Sequence, residues 1–557
     1  MDDNQSGNST IFGGCRQWIR CYGRRMFMNI REIEKIIDEY HKKHVFLSGN
    51  KKQLMYELMT TFEDLCACTV MASMLNPIAL KKITDYMDSL NQALNWVEHS
   101  ESVSTDGLIQ RTISEERYEQ CASFLNDYAY PYSLICSGYI SYSRRRLSAK
   151  VEDNTVSFFF SDDDNCSSWN DILREASSKE VSGFMETFNP IQIMQANAKL
   201  QKKISIQGGQ ICYELNSEIL TPFVEVAEAQ WNATKTLPDS WKFDTFTLEE
   251  YKSVWIAIAA LCYIHFFSCL TIKDPLVRIE NALIVQSPDS VIGYAASISN
   301  VEKEKVKSIF DYLIFEPSKK NVDIMYQPIV KINEDMVLIA PMLFMGSRPE
   351  RNLLAVVSSR SDFEHSKEVN DLEDLMVKEI EEAIPPNDNL IIKKHKKLGG
   401  RLPDIDLGIY DTVSNAVLLC ELKWFMAADS SKEVYAREDD ITHGCEQSEQ
   451  IMGYAMTDKE HFMKQVFECD DGNDVDLFCC VVAKHNIRTQ NKHVPVIDEK
   501  KLIELFRNKS IDSVFHIIRN HEYEEILPED AEITFQTVSY AGFNFQIPAI
   551  CLGSMPE

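Results

Sequence analysis

Arg401–Phe425 reads RLPDIDLGIYDTVSNAVLLCELKWF. Two apolar, β-rich runs, 401–411 and 415–425, flank a tight link at Thr412–Ser414, which predicts a hairpin. Side chains alternate along a strand. Asp404 and Asp406 therefore share one face, and Ile405, Leu407 and Ile409 take the other. On the second strand Glu421 and Lys423 share a face, opposed by Cys420, Leu422 and Trp424. The hairpin makes the strands neighbours, so Asp404, Glu421 and Lys423 can converge at one end of a half-buried sheet.

Burying charged groups beside apolar strands costs free energy unless it is compensated. Adjacent carboxylates repel unless a cation lies between them. Oxygen ligands of this kind suit Mg²⁺ or Mn²⁺. Such an ion lowers the pKa of a bound water and stabilises charge on a phosphate. A nearby lysine orients that water or offsets the developing negative charge.

The flanks are orderly. Val369, Leu372, Met376, Ile380 and Ala383 recur at helical spacing up to Pro385-Pro386. NLIIKKHK (389–396) reads as a strand, separated from the hairpin by Gly399-Gly400. A helix is predicted over about 440–456 with Asp439 or Asp440 as its cap, then a strand at 475–484, the short strand VPVI, and a helix from about 498. The order is α-β-β-β-α-β.

Pro403-Asp404, 16 intervening residues, then Glu421-Leu422-Lys423, in that element order, resembles the PD-(D/E)xK (restriction-endonuclease-like) nuclease superfamily over residues 366–507. The resemblance implies that Asp404 and Glu421 bind Mg²⁺, with Mn²⁺ able to substitute, and that the Leu422 carbonyl is a further ligand. It implies that Lys423 activates or orients the attacking water. Gln450-x-x-x-Tyr454 resembles the Gln/Tyr motif of the exonuclease-like branch, whose side chains contact substrate, and Gln447 lies one turn earlier. On the first helix, Leu372-Glu373-x-x-Met376-x-x-x-Ile380 resembles the helix that brings an acid to the site, with Glu379 as the alternative. The other E-x-K triplets, at Glu250 and Glu499, have no P-D strand before them.

Lys393, Lys394, Lys396, Lys397 and Arg401 place five basic residues and no acidic one between Asn389 and Pro403. Lys396, Lys397 and Arg401 are candidates to grip a phosphate backbone. A charged edge that keeps the sheet from pairing with other chains accounts for them equally. Arg437 is a candidate phosphate ligand. Arg144-Arg145-Arg146 reads as a solvated turn.

The whole chain has 557 residues, 57 basic and 85 acidic, for a net charge of −28. That acidity repels nucleic acid globally, so any such partner needs a local basic patch or a delivering protein. Sixteen cysteines without a C-x-x-C pair give no zinc pattern and suit a reducing cytoplasm. The N-terminus has no apolar core of a signal peptide. Val254–Ile272 is uncharged and nearly long enough to span a bilayer, but His265 lies inside it. We read it as a buried helix and expect no membrane partner. No nucleotide-binding glycine motif is present.

The predicted fold class is α/β. Residues 1–28 form a disordered tail, 29–135 a helical region, and 136–345 a mixed α/β region with β-like GYISYS (138–143) and TVSFFF (155–160). Residues 346–510 hold the nuclease-like domain and 511–557 a β-rich extension. The function expected from the resemblance is a Mg²⁺-dependent nuclease, DNA its foremost partner, in bacterial defence or repair. The alternative is a catalytically silent nuclease-fold protein binding nucleic acid or a protein. A protein partner or homo-oligomer is compatible with either.

Overall fold

A computed structural model describes residues 29–73, 81–101, 103–104, 107–160, 190–235, 237–243, 245–316, 318–319, 323–358, 367–428, 431–470, 472, 474–485, 487, 493–523 and 531–552. The expected tail lies outside these residues. The described chain is mixed α/β, with several separate sheets.

The first half is largely helical. Asn29 and Glu32 cap α1 (Ile30–Tyr40) reciprocally, satisfying two amides that the first turn leaves open. α2 (Lys51–Ser73) supplies much of one N-terminal core. The expected strand at 138–143 is instead the end of α3 (Tyr130–Ser143). Ile135, Gly138 and Tyr139 recur at helical spacing and pack toward Phe158, so burial overrides the β-like composition. β1 (Leu147–Glu152) and β2 (Thr155–Phe160) form an antiparallel hairpin. The apolar run is α4 (Leu248–Cys269), started by a Thr247/Glu250 capping box. A helix apolar on all sides belongs in an interior. Among the described residues only α4 is long and apolar enough to cross a bilayer, and 83% of its apolar window is buried within the protein. A hairpin turning at Asn333-Glu334-Asp335 pairs Ile329–Asn333 with Met336–Ile339.

The second half is built on one five-stranded sheet. α5 (Lys367–Ala383) ends just before Pro385-Pro386, which cannot continue a helix. β3 (Leu390–Lys396), β4 (Ile405–Asp411), β5 (Ala416–Lys423), β6 (Asp476–Ala483) and β7 (Val496–Asp498) lie side by side in that order. The first three are antiparallel neighbours, and β6 and β7 run parallel to β5. A parallel return needs a crossover. α6 (Ser431–Thr457) and α7 (Lys459–Phe467) provide it and pack on one face with Val417 and Leu419. α5, α8 (Glu499–Asn508) and α9 (Ile511–Arg519) cover the other face, against Leu407, Ile409, Leu418 and Leu422. The β4–β5 link is fixed by Asp411, whose carboxylate accepts from the Val413 amide (3.1 Å) and the Ser414 hydroxyl (2.7 Å).

Three expectations change. α6 starts at Ser431, well before the expected cap at Asp439 or Asp440. Its early residues are held by other parts of the chain: Tyr435 donates to Ser141 Oγ (2.7 Å), Arg351 pairs with Glu433 (2.7 Å), and Arg146 pairs with buried Glu438. The arginine triplet is therefore not simply a solvated turn, since Arg144 also reaches Asp439 (3.3 Å). The region 511–557 is not one β-rich extension. α9 packs beneath the five-stranded sheet, whereas β8 (Ala531–Tyr540) and β9 (Phe543–Leu552) join β2 and β1 in a separate sheet ordered β8-β9-β2-β1.

Candidate active site

The last ladder pair between β4 and β5 is Leu407 with Cys420. One step further, that register sets Asp406 across from Glu421. Asp406 Oδ2 there accepts a 2.7 Å hydrogen bond from the Leu422 amide. Glu421 Oε1 accepts from Lys423 Nζ at 2.7 Å, and the same ammonium donates to Gln447 Oε1 at 2.9 Å. Glu373, on α5, accepts from the Trp424 amide and feels the charge of Asp406. Gly444 lies against the lysine, since a Cβ there would meet Lys423 Cε at 3.0 Å.

The arrangement sets three carboxylates against one ammonium. Burial, then the charge of Asp406, pushes the Glu421 carboxyl up to about 7, with Lys423 opposing the rise. Burial also raises Glu373, assisted by Asp406. Asp406 is raised by burial, against the Leu422 amide and the charges of Lys423 and His395. Burial acts to lower Lys423, but Glu421, Glu373 and Asp406 together hold it above its ordinary value. Excess buried negative charge of this kind calls for a further cation.

The structure brings together Glu373, Glu421, Lys423 and Gln447 from the sequence reading, and it corrects the aspartate. Asp404 precedes the start of β4 and is exposed, near enough for its charge to raise Asp406, and the carboxylate across the ladder from Glu421 is that of Asp406. Glu379 turns instead to Lys484 (3.2 Å). Gln450 is exposed, and Tyr454 is engaged elsewhere, donating to Gln465 on α7 (2.8 Å). Of the basic run, Lys393 and Lys396 face Glu468 (2.8 and 3.6 Å) and Lys394 faces Glu381 (2.7 Å). Lys397 and Arg401 are exposed and form no ion pair among the described residues.

His395 escaped the sequence reading. The β3–β4 register sets it across from Asp406, its backbone is left-handed at φ 47°, and Nε2 lies 3.1 Å from Asp374. A non-glycine residue in that conformation beside a charged cluster is a signal only coordinates supply.

The donor set suits a small hard cation. Asp406, Glu421 and the Leu422 carbonyl are all oxygen donors, and Mg²⁺ keeps several waters of its own rather than needing a full protein cage. Among the described residues no three His, Cys, Asp or Glu side chains form such a cage. No known protein family, characterised protein or solved structure matches this chain.

Proposed function

We propose that this chain is a metal-dependent nuclease of the PD-(D/E)xK type, hydrolysing the phosphodiester bonds of DNA. The observation that carries the reading is the convergence of Asp406, Glu421 and Lys423 at the end of β4 and β5, where Glu421 is raised to about 7. The order α5-β3-β4-β5-α6-β6, with a second crossover helix, agrees with the core that the sequence resemblance implies.

Asp406, Glu421 and the Leu422 carbonyl would hold Mg²⁺, with Mn²⁺ as a substitute. The ion, when bound, supplies Lewis acidity and a bound water of lowered pKa. Lys423 is positioned by Glu421 and Gln447 to orient an attacking water and to offset charge growing on the phosphate. Glu373 adds a carboxylate able to accept the proton that this water gives up. Hydrolysis adds water across the P–O bond, leaving a phosphomonoester and a free hydroxyl. A role in defence or repair follows only from the family resemblance, and a cytoplasmic setting from the cysteine pattern.

The test is cleavage of linear duplex, circular duplex and single-stranded DNA, and of RNA, each with Mg²⁺, Mn²⁺ or EDTA. Metal-dependent cutting by wild type, reduced roughly a hundredfold or more in Glu421→Gln, is expected. Equal cutting by the variant would remove the site assignment.

A further inference from the structure

Arg437 lies on α6, seven residues before Gly444, on the stripe that also carries Gln447. Its guanidinium sits over the ring of Phe425, with Cζ 5.6 Å from the centroid. Phe425 is two residues beyond Lys423, so Arg437 lies past the end of β5 on the side where α6 covers the site. Nη1 reaches Asp440 at 3.3 Å, but Nε is buried and lacks a hydrogen-bond partner among the described residues. A buried donor left open costs free energy unless a ligand or water fills it.

The His485 ring lies tilted against Phe425 with centroids 6.2 Å apart, and burial, then the charges of Lys484, Lys500 and Arg437, push it down to about 4, which leaves it neutral near pH 7. Lys484 is offset by Glu379 and Glu499. Lys500 is exposed and forms no ion pair among the described residues. The forked guanidinium, stacked on an aromatic ring, is preorganised for a phosphate in a way that an ammonium is not.

The distance sets the register. A helix rises about 1.5 Å per residue, so Arg437 stands about 10 Å along α6 from Gly444. A nucleic-acid strand advances about 3.4 Å per nucleotide along its axis. We propose that Arg437 holds a second backbone phosphate of a polynucleotide substrate, about three nucleotides from the bond that is cut where the strand runs along α6. The assignment rests on the nuclease reading and adds to it a residue that grips the strand away from the bond that is cut.

The experiment separates the inference from the reading it rests on. Binding of a labelled duplex DNA is measured against salt, in EDTA to prevent cutting, for Asp406→Asn and for Asp406→Asn/Arg437→Gln. The second substitution is expected to weaken binding about tenfold and to reduce the slope of log K against log salt by about one. Arg437→Lys should restore the slope and only part of the affinity, whereas a merely structural arginine would leave the slope unmoved. Hydrolysis of bis(p-nitrophenyl) phosphate, a diester with one phosphate, should fall by a much smaller factor in Arg437→Gln than DNA binding does. Unchanged DNA binding with diester hydrolysis intact overturns the inference and spares the nuclease. Absence of both DNA binding and hydrolysis in wild type overturns both.

Discussion

At the scale of single residues, the reading turns on which aspartate faces Glu421. Asp404 and Asp406 alternate identically along an ideal strand, and parity cannot separate them. The strand boundary does: β4 opens at Ile405, which leaves Asp404 outside the ladder and Asp406 on the Leu422 amide. Glu421 also makes a pH statement. Its carboxyl titrates near 4.5 ordinarily and near 7 in the fold, so folding favours the protonated form. Its contribution to stability is complete below the lower value and is lost as pH rises through the upper one. The melting temperature of metal-free Glu421→Gln, taken relative to wild type, should therefore rise between about pH 5 and about pH 8. A difference that stays flat or falls would contradict the raised carboxyl. Glu421 and Lys423 were legible from residue type and strand alternation, and Glu373 and Gln447 through the family resemblance. His395 was not, because its backbone conformation and its register against Asp406 are properties of the folded sheet.

At the scale of elements, α6 matters most. It carries Gly444 and Gln447 against Lys423, and its first turns are held by Ser141, Arg146 and Arg351. Local signals place the helix start too late, since the residues that stabilise 431–439 lie far away in sequence. Gly444→Val would push a branched side chain into Lys423 Cε, 3.0 Å from the Cβ position. Cleavage should fall at least tenfold with a small change in melting temperature. Activity equal to wild type would show that α6 does not set the lysine. Arg146→Ala leaves buried Glu438 without this partner and should destabilise the protein by about 3 kcal/mol, read by urea unfolding. A loss below about 0.5 kcal/mol would mark the pair as surface-like. In the β3–β4 loop, Lys397 and Arg401 are the residues of the basic run still available to a phosphate. Their joint replacement by Ala should flatten the salt dependence of DNA binding by up to about two counterions. An unchanged slope would return the loop to edge protection.

At the scale of the whole molecule, the α/β class and the order of the C-terminal elements follow from periodicity, because each strand and helix there carries its own apolar pattern. The burial of α4 was also legible, from His265 within an otherwise apolar run. The pairing of the C-terminal hairpin with β1 and β2 was not, since no local pattern names a strand partner nearly four hundred residues away. That pairing encloses Phe545 completely. Phe545→Ala should cost about 3–5 kcal/mol. A loss under about 1 kcal/mol would show that the β8-β9-β2-β1 sheet contributes little to the fold.

The central claim is that Asp406, Glu421 and Lys423 form a hydrolytic site. Its most direct test compares Asp404→Ala with Asp406→Asn in a Mg²⁺-dependent DNA cleavage assay, with EDTA as the blank. Asp404→Ala should cut at near the wild-type rate and Asp406→Asn should be inactive. Cutting that survives Asp406→Asn, or that is lost in Asp404→Ala alone, would contradict the claim.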